Sequence, residues 1–191
     1  MRYGFKAQAE RIALGARKEL GLKPSSPLDP WIYANHLKVL VLDLNEIEIP
    51  PQSRKRLLHD DYQSWSGMTI RMDLATAIVI NPSHSRGRQA STLAHELAHV
   101  ILKHAPAQVT VSSTGLLLLS DYSDNDEEEA DWLAAAVLLP RDILFEKRQH
   151  GKTTPQIAAE MGVSLELCEW RIRMTGVDLQ IKRSSKRVKK G

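Results

Sequence analysis

Internal disulfides are excluded, because the chain holds a single cysteine, Cys168, and nothing ties it to an oxidising compartment. Aromatic side chains are scarce at 5%, which points to a core of aliphatic packing. No apolar run approaches the roughly 20 residues that a membrane span needs, and "TGLLLLS" is far too short. The N-terminus "MRYGFKAQAERIALGARKELG" carries basic residues, but Glu10 and Glu19 interrupt them and no apolar segment or cleavage site follows. It reads as a helix and not as a secretory leader. Internal repeats are missing, and only the C-terminal end is of low complexity. These absences together lead us to expect a protein of the reducing cytoplasm with no membrane attachment.

What is present is an ordinary globular composition, 42% hydrophobic and 26% charged over 191 residues, enough for one well-packed domain with a small appendage. The net charge is +3, yet the last ten residues, "KRSSKRVKKG", hold six basic and no acidic side chains, so the rest of the chain carries −3. Such an end reads as a solvated, mobile tail, with weak nonspecific DNA contact as the sharper alternative. The expected division is a main domain over residues 1–150, a helical module over 151–178 and a basic flexible tail over 179–191.

Periodicity supplies the elements. Phe5, Ala9, Ile12, Ala13, Ala16 and Leu20 recur at helical spacing, with Gly21 where a helix would end. A short helix around "WIYANHL" and a strand at "KVLVLDL" follow; His36, without an evident partner, reads as structural. "GMTIRMDLATAIVINP" predicts two strands around a turn near Met72 to Leu74, the second leading directly into a helix that Ser85 caps and Pro106 stops. "AQVTVSSTGLLLLS" fits strand, loop or short helix equally. "DNDEEEADWLAAAVLLP" is a further helix, with Asp124 as N-cap and Glu127 completing a capping box.

Within the first of these two helices lies "HELAHVILKH", residues 95–104. Residues four apart share a helix face, so His95 and His99 can offer ring nitrogens to one ion. Glu96 is one position round, beside such an ion instead of on it, where a carboxylate can take a proton from an attacking water. The plain alternative is a pair of surface or satisfied core histidines. Apolar neighbours on both sides favour the metal, since a charged glutamate in a largely buried helix needs a reason.

His104 does not fit as a third ligand. On a continuing helix the nine residues from His95 turn through about 900°, which sends His104 to the opposite side; it reads as a C-terminal histidine meeting the helix dipole. The acidic helix offers a better ligand. Glu127 shares a face with Ala130, Asp131, Ala134, Val137 and Leu138, while Glu128 and Glu129 fall at or beyond its margin and read as solvated. Glu127 is therefore the expected third ligand. Asp131, one turn on, would accept a hydrogen bond from the second nitrogen of a ligand histidine.

These residues resemble the ImmA/IrrE family of HExxH metallopeptidases. The resemblance rests on "STLAHELAH" after the arginine-rich "SRGRQ", on "EEEADWLAAAVLLP", on the "GMTI…AIVIN" strand pair and on "LDPWIYANHLKV", and covers about residues 5 to 175. It implies a zinc ion on His95, His99 and Glu127, with Glu96 catalytic. It also implies an intracellular protease of narrow specificity that cuts a helix-turn-helix transcriptional repressor, often encoded beside it on a mobile element, and so relieves repression in a stress response. Asp131 departs from the commoner asparagine, Leu133 from phenylalanine and Ala98 from glycine; none of the three abolishes zinc binding on physical grounds.

The expected fold is α+β: a small mixed or antiparallel sheet on the histidine helix, crossed by the Glu127 helix, with a helix-turn-helix-like module at "TTPQIAAEMGVSLELCEWRIRMTG". That module's second helix offers Glu166 and Glu169 beside Arg171 and Arg173, a poor surface for phosphates, so a packing or protein-contact role is expected. Tyr122 and His84 are loop candidates for a transition-state donor. Two rivals stand beside the protease reading: a metal-stabilised antitoxin or regulatory binding module that does not cut, and a DNA-binding regulator acting through residues 153–175 and the tail.

Overall fold

The computed structural model describes residues 1–72, 75–105, 109–111, 117–119 and 122–188. In chain order the elements are α1 (Phe5–Glu19), α2 (Pro30–His36), β1 (Val39–Asp43), a 3-10 turn at Leu44–Glu46, α3 (Pro51–Lys55) running into a wide turn at Arg56–Asp60, β2 (Gly67–Met72), β3 (Ala75–Ile80) and α4 (Arg86–Leu102). Then come β4 (Val109–Val111), β5 (Leu117–Leu119), α5 (Asp124–Leu138), α6 (Arg141–Gln149), α7 (Thr154–Met161), α8 (Leu165–Thr175) and α9 (Val177–Val188). The architecture is α+β and mostly helical. β4 and β5 form a short antiparallel ribbon inside the stretch that periodicity left undecided; the remainder of that stretch, and the turn at residues 73–74, lie outside the described residues.

Three helices make the centre. The alanine stripe of α1 (Ala9, Ala13, Ala16) is fully buried, and α5 lies between α1 and α4. Small side chains on both partners let helix axes approach closely. The inward face of α5 is wider than the sequence pattern indicates: Trp132 to Leu138 are all buried, because helices cover it from two sides. Its C-terminal carbonyls meet two buried guanidinium groups. Arg17 of α1 donates to the carbonyls of Val137 (2.6 Å) and Leu138 (3.3 Å), and Arg171 of α8 donates to that of Leu139 (3.0 Å). Cations at these orphaned acceptors satisfy them and complement the helix dipole.

The sheet has the order β1-β3-β2, with β1 parallel and β2 antiparallel to β3. Paired residues point to the same side, so the register Gly67↔Ile80 and Thr69↔Ile78 puts Gly67 and Thr69 on the face where Ile78 and Ile80 join the main core. That face packs on α4. At Gly67 an added Cβ would come within 2.7 Å of Thr92 Cγ2 and 3.2 Å of the Val79 carbonyl oxygen; the absent side chain is what admits α4 so close to β2. The opposite face, with Val79, Met68, Leu44, Leu58 and Trp65, forms a smaller apolar cluster.

The C-terminal helices share the main core. Ile157, Ala158, Met161, Val163, Cys168, Ile172 and Val177 belong to the same apolar cluster as Phe5, Leu97 and Leu133. A Cβ on Gly87, in the first turn of α4, would sit 3.1 Å from the backbone of Val163 and Ser164, so the turn between α7 and α8 rests directly on the start of the histidine helix. Thr153 and Ser164 cap α7 and α8, and Gly162 turns between them with φ 68°.

Several sequence expectations change. Arg171, read as exposed, is 0% accessible and paired with Glu10. The N-cap of α5 is Ser123, which accepts from the Asp126 amide, in place of Asp124. α9, Val177–Val188, runs into the segment 179–191 that the sequence marks as a basic tail. His36 stacks on Tyr33 and contacts Glu19 at 3.3 Å. Among the described residues no helix is long and apolar enough to cross a membrane.

Candidate metal centre

The site forms where α4 crosses α5. One helical turn separates His95 from His99, and their Nε2 atoms face each other at 3.0 Å. Glu127, in the first turn of α5, brings Oε2 to 3.2 Å from His95 Nε2 and Oε1 to 3.5 Å from His99 Nε2. One donor atom from each residue lies within 4.8 Å of the others. Tetrahedral bonds of about 2.0–2.1 Å require ligand atoms about 3.3 Å apart. Two imidazoles and a carboxylate at these separations therefore fit one divalent cation without further movement of the helices.

The neighbouring groups hold this set in place. Asp131 Oδ1 accepts from His95 Nδ1 at 2.9 Å, which turns His95 Nε2 toward the site. Thr69 Oγ1 donates to Glu96 Oε2 at 2.6 Å, a consequence of the strand register described above. Tyr122 stacks on His99, with ring centroids 4.0 Å apart and planes 22° from parallel. Of the two loop candidates for a transition-state donor, then, Tyr122 lies against the site. His84 is instead buried and bonded to the Tyr62 carbonyl at 3.0 Å.

Electrostatics distinguish the two rings. Burial works against charge on His95, but its hydrogen bonds to Asp131 and Glu127 outweigh this and lift it to about 10. Burial and the charge on His95 push His99 down to about 4. The hydrogen bond from His95 holds Glu127 below the ordinary carboxylate value, and burial raises Glu96 above it. Without metal, then, neutral pH finds a charged His95 beside a neutral His99. A raised histidine stabilises the metal-free fold fully below about 6.5 and loses that contribution as pH rises through about 10. A cation needs the lone pair instead, so metal binding at pH 7 is expected to release about one proton. Calorimetry in buffers of different ionisation enthalpy measures it; no release would contradict His95 as a ligand.

Two features escape a reading from the sequence. Glu129, taken as solvated, is 3% exposed and receives the Arg2 side chain at 2.7–3.0 Å. Glu128, by contrast, is exposed and meets the terminal amine of Met1. His104, expected on the far side of α4, lies instead against His99, with ring centroids 5.0 Å apart. The reason is Lys103, whose left-handed backbone (φ 56°) ends α4 and folds the chain back.

A family model described as Peptidase M78, IrrE N-terminal-like domain, matches residues 42–173. Comparison with curated proteins and with solved structures gives no match. The matched span contains Thr69, both strands beside the site, the whole of α4 and α5, and the α7–α8 turn. With well over half of its length covered, the chain belongs to the metallopeptidase family of the IrrE N-terminal-like domain.

Proposed function

We propose that the protein is a zinc-dependent endopeptidase, with His95, His99 and Glu127 as metal ligands and Glu96 as general base. The observation that carries this reading is the convergence of the three donors at tetrahedral separations, with the Glu96 carboxylate on the adjoining helix position. Bound zinc supplies Lewis acidity toward the scissile carbonyl and toward a water. Thr69 holds Glu96 Oε2 and leaves Oε1 to take the proton of the attacking water. Burial, by raising the Glu96 pKa, suits it to return that proton to the leaving amine nitrogen. Asp131 fixes the tautomer of His95 throughout.

The substrate class follows from the family resemblance: a helix-turn-helix transcriptional repressor whose cutting relieves repression. We assign the reaction to the cytoplasm, where the free thiol of Cys168 is at home. The exposed Lys182 and Arg183 of α9 would give weak, nonspecific DNA contact and bring the protease near a DNA-bound target. A reading as a DNA-binding regulator through α8 is weakened by Arg171, which lies in the core and leaves Glu166 and Glu169 exposed beside Arg173.

New protein N-termini compared between cells making the wild type and cells making Glu96→Gln test the proposal. One regulator cut only by the wild type is the expected result. If no protein is cut by either, under stress as well as at rest, the non-cutting binding module takes over.

A further inference from the structure

Resting on the zinc reading above, we propose that His104 is a positioning residue, which selects the tautomer of His99 that presents Nε2 to the metal. His99 has two ring nitrogens, and its Nε2 is the one that faces His95 and Glu127. A ring that ligates through Nε2 must carry its proton on Nδ1. His99 Nδ1 lies 3.0 Å from His104 Nδ1, so the proton on the first nitrogen needs a lone pair on the second. His104 is thereby set as the Nε2–H tautomer, with that atom 3.4 Å from Asp126 Oδ1 and 3.9 Å from Glu129 Oε2.

Every proton in this chain has one consistent direction. It runs from His99 to His104, whose Nε2 lies within ion-pair range, though not in hydrogen-bond geometry, of two carboxylates, of which Glu129 is itself anchored by Arg2. Both His99 and His104 are buried, at 1% and 7% exposure, so water does not compete for the bond between them. His95 has the equivalent tether in a single step through Asp131. The site thus holds each imidazole from behind, one directly and one through a relay. A histidine that merely met the helix dipole would need neither burial nor a ring nitrogen aimed at His99.

The test uses the full-length chain, stripped of metal, with ¹⁵N-labelled histidine at a fixed pH of about 8, where His99 is neutral and His95 keeps its proton, so that every variant is compared with His95 in the same state. Long-range ¹H–¹⁵N spectra report which nitrogen of His99 carries the proton, and competition with a chelator gives the zinc affinity. Wild type is expected to show His99 as Nδ1–H. His104→Phe fills the space without an acceptor; it should give mixed tautomers and weaken zinc about 10–100-fold. His104→Gln, whose amide oxygen can accept the same bond, should recover both readouts. Should His104→Phe fail to fold, Asp126→Asn, which weakens the far end of the relay, should shift the same tautomer balance in part.

An unchanged tautomer and zinc affinity in a folded His104→Phe overturns the inference, as does equal loss in the Gln variant. A wild type that binds no zinc overturns the metal reading, and the tautomer measurement on the metal-free protein still separates that failure from this one.

Discussion

Glu96→Gln is expected to lower the cleavage rate about 10²–10⁴-fold, the usual contribution of a positioned general base, while one zinc per chain remains. The substitution keeps the size of the side chain and an oxygen for the Thr69 hydroxyl, which donates at 2.6 Å in the wild type. It removes only the ability to accept a proton. His95, His99 and Glu127 are untouched, so metal content and melting temperature should stay at wild-type values. Rates on a peptide spanning the cut site, taken from the N-terminal comparison, measure the loss in kcat/KM. A Glu96→Gln enzyme that cuts at the wild-type rate would remove Glu96 from the chemistry.

Arg171→Met should cost about 3–5 kcal/mol of stability, the range for breaking a buried pair from one side. The guanidinium is fully buried, donates to the Leu139 carbonyl at 3.0 Å, pairs with Glu10 and lies over the Trp132 ring. Its loss leaves the Glu10 carboxylate with only the Arg141 amide, at 3.0 Å, and leaves the carbonyl of Leu139, the C-cap of α5, without a cation, at the end of the helix that carries Glu127 and Asp131. Urea denaturation of the metal-free protein reads the cost directly. Adding Glu10→Leu to Arg171→Met should restore part of it, because the stranded partner and not the missing bond carries most of the penalty. A loss below about 1 kcal/mol would mean that the α5 terminus does not depend on this anchor.

The parts of the site that the sequence reveals are those that local geometry determines. His95, Glu96 and His99 share two turns of one helix, and their relative directions follow from 3.6 residues per turn. Glu127 and Asp131 emerge from the same arithmetic on a second helix. Thr69 could be placed only after the antiparallel register paired it with Ile78. Glu129 and Arg171 looked solvated because their partners are Arg2, Glu10 and Leu139, far away in the chain. His104 was hidden by Lys103: left-handed helix ends are usually written with glycine or asparagine, and a lysine there gives no such signal.

The fold was legible for similar reasons. Capping residues at Ser85 and Ser164 and the alanine stripe of α1 mark helices locally. The parallel pairing of β1 with β3 joins strands more than thirty residues apart, and periodicity is blind to such an order.

The central claim is a zinc ion held by His95, His99 and Glu127, and metal analysis of purified chains tests it most directly. Wild type and Glu96→Gln should each carry one zinc per chain, and His99→Ala and Glu127→Ala should carry almost none while remaining folded. A wild type without zinc, or a Glu127→Ala protein that retains it at full stoichiometry, would contradict the account.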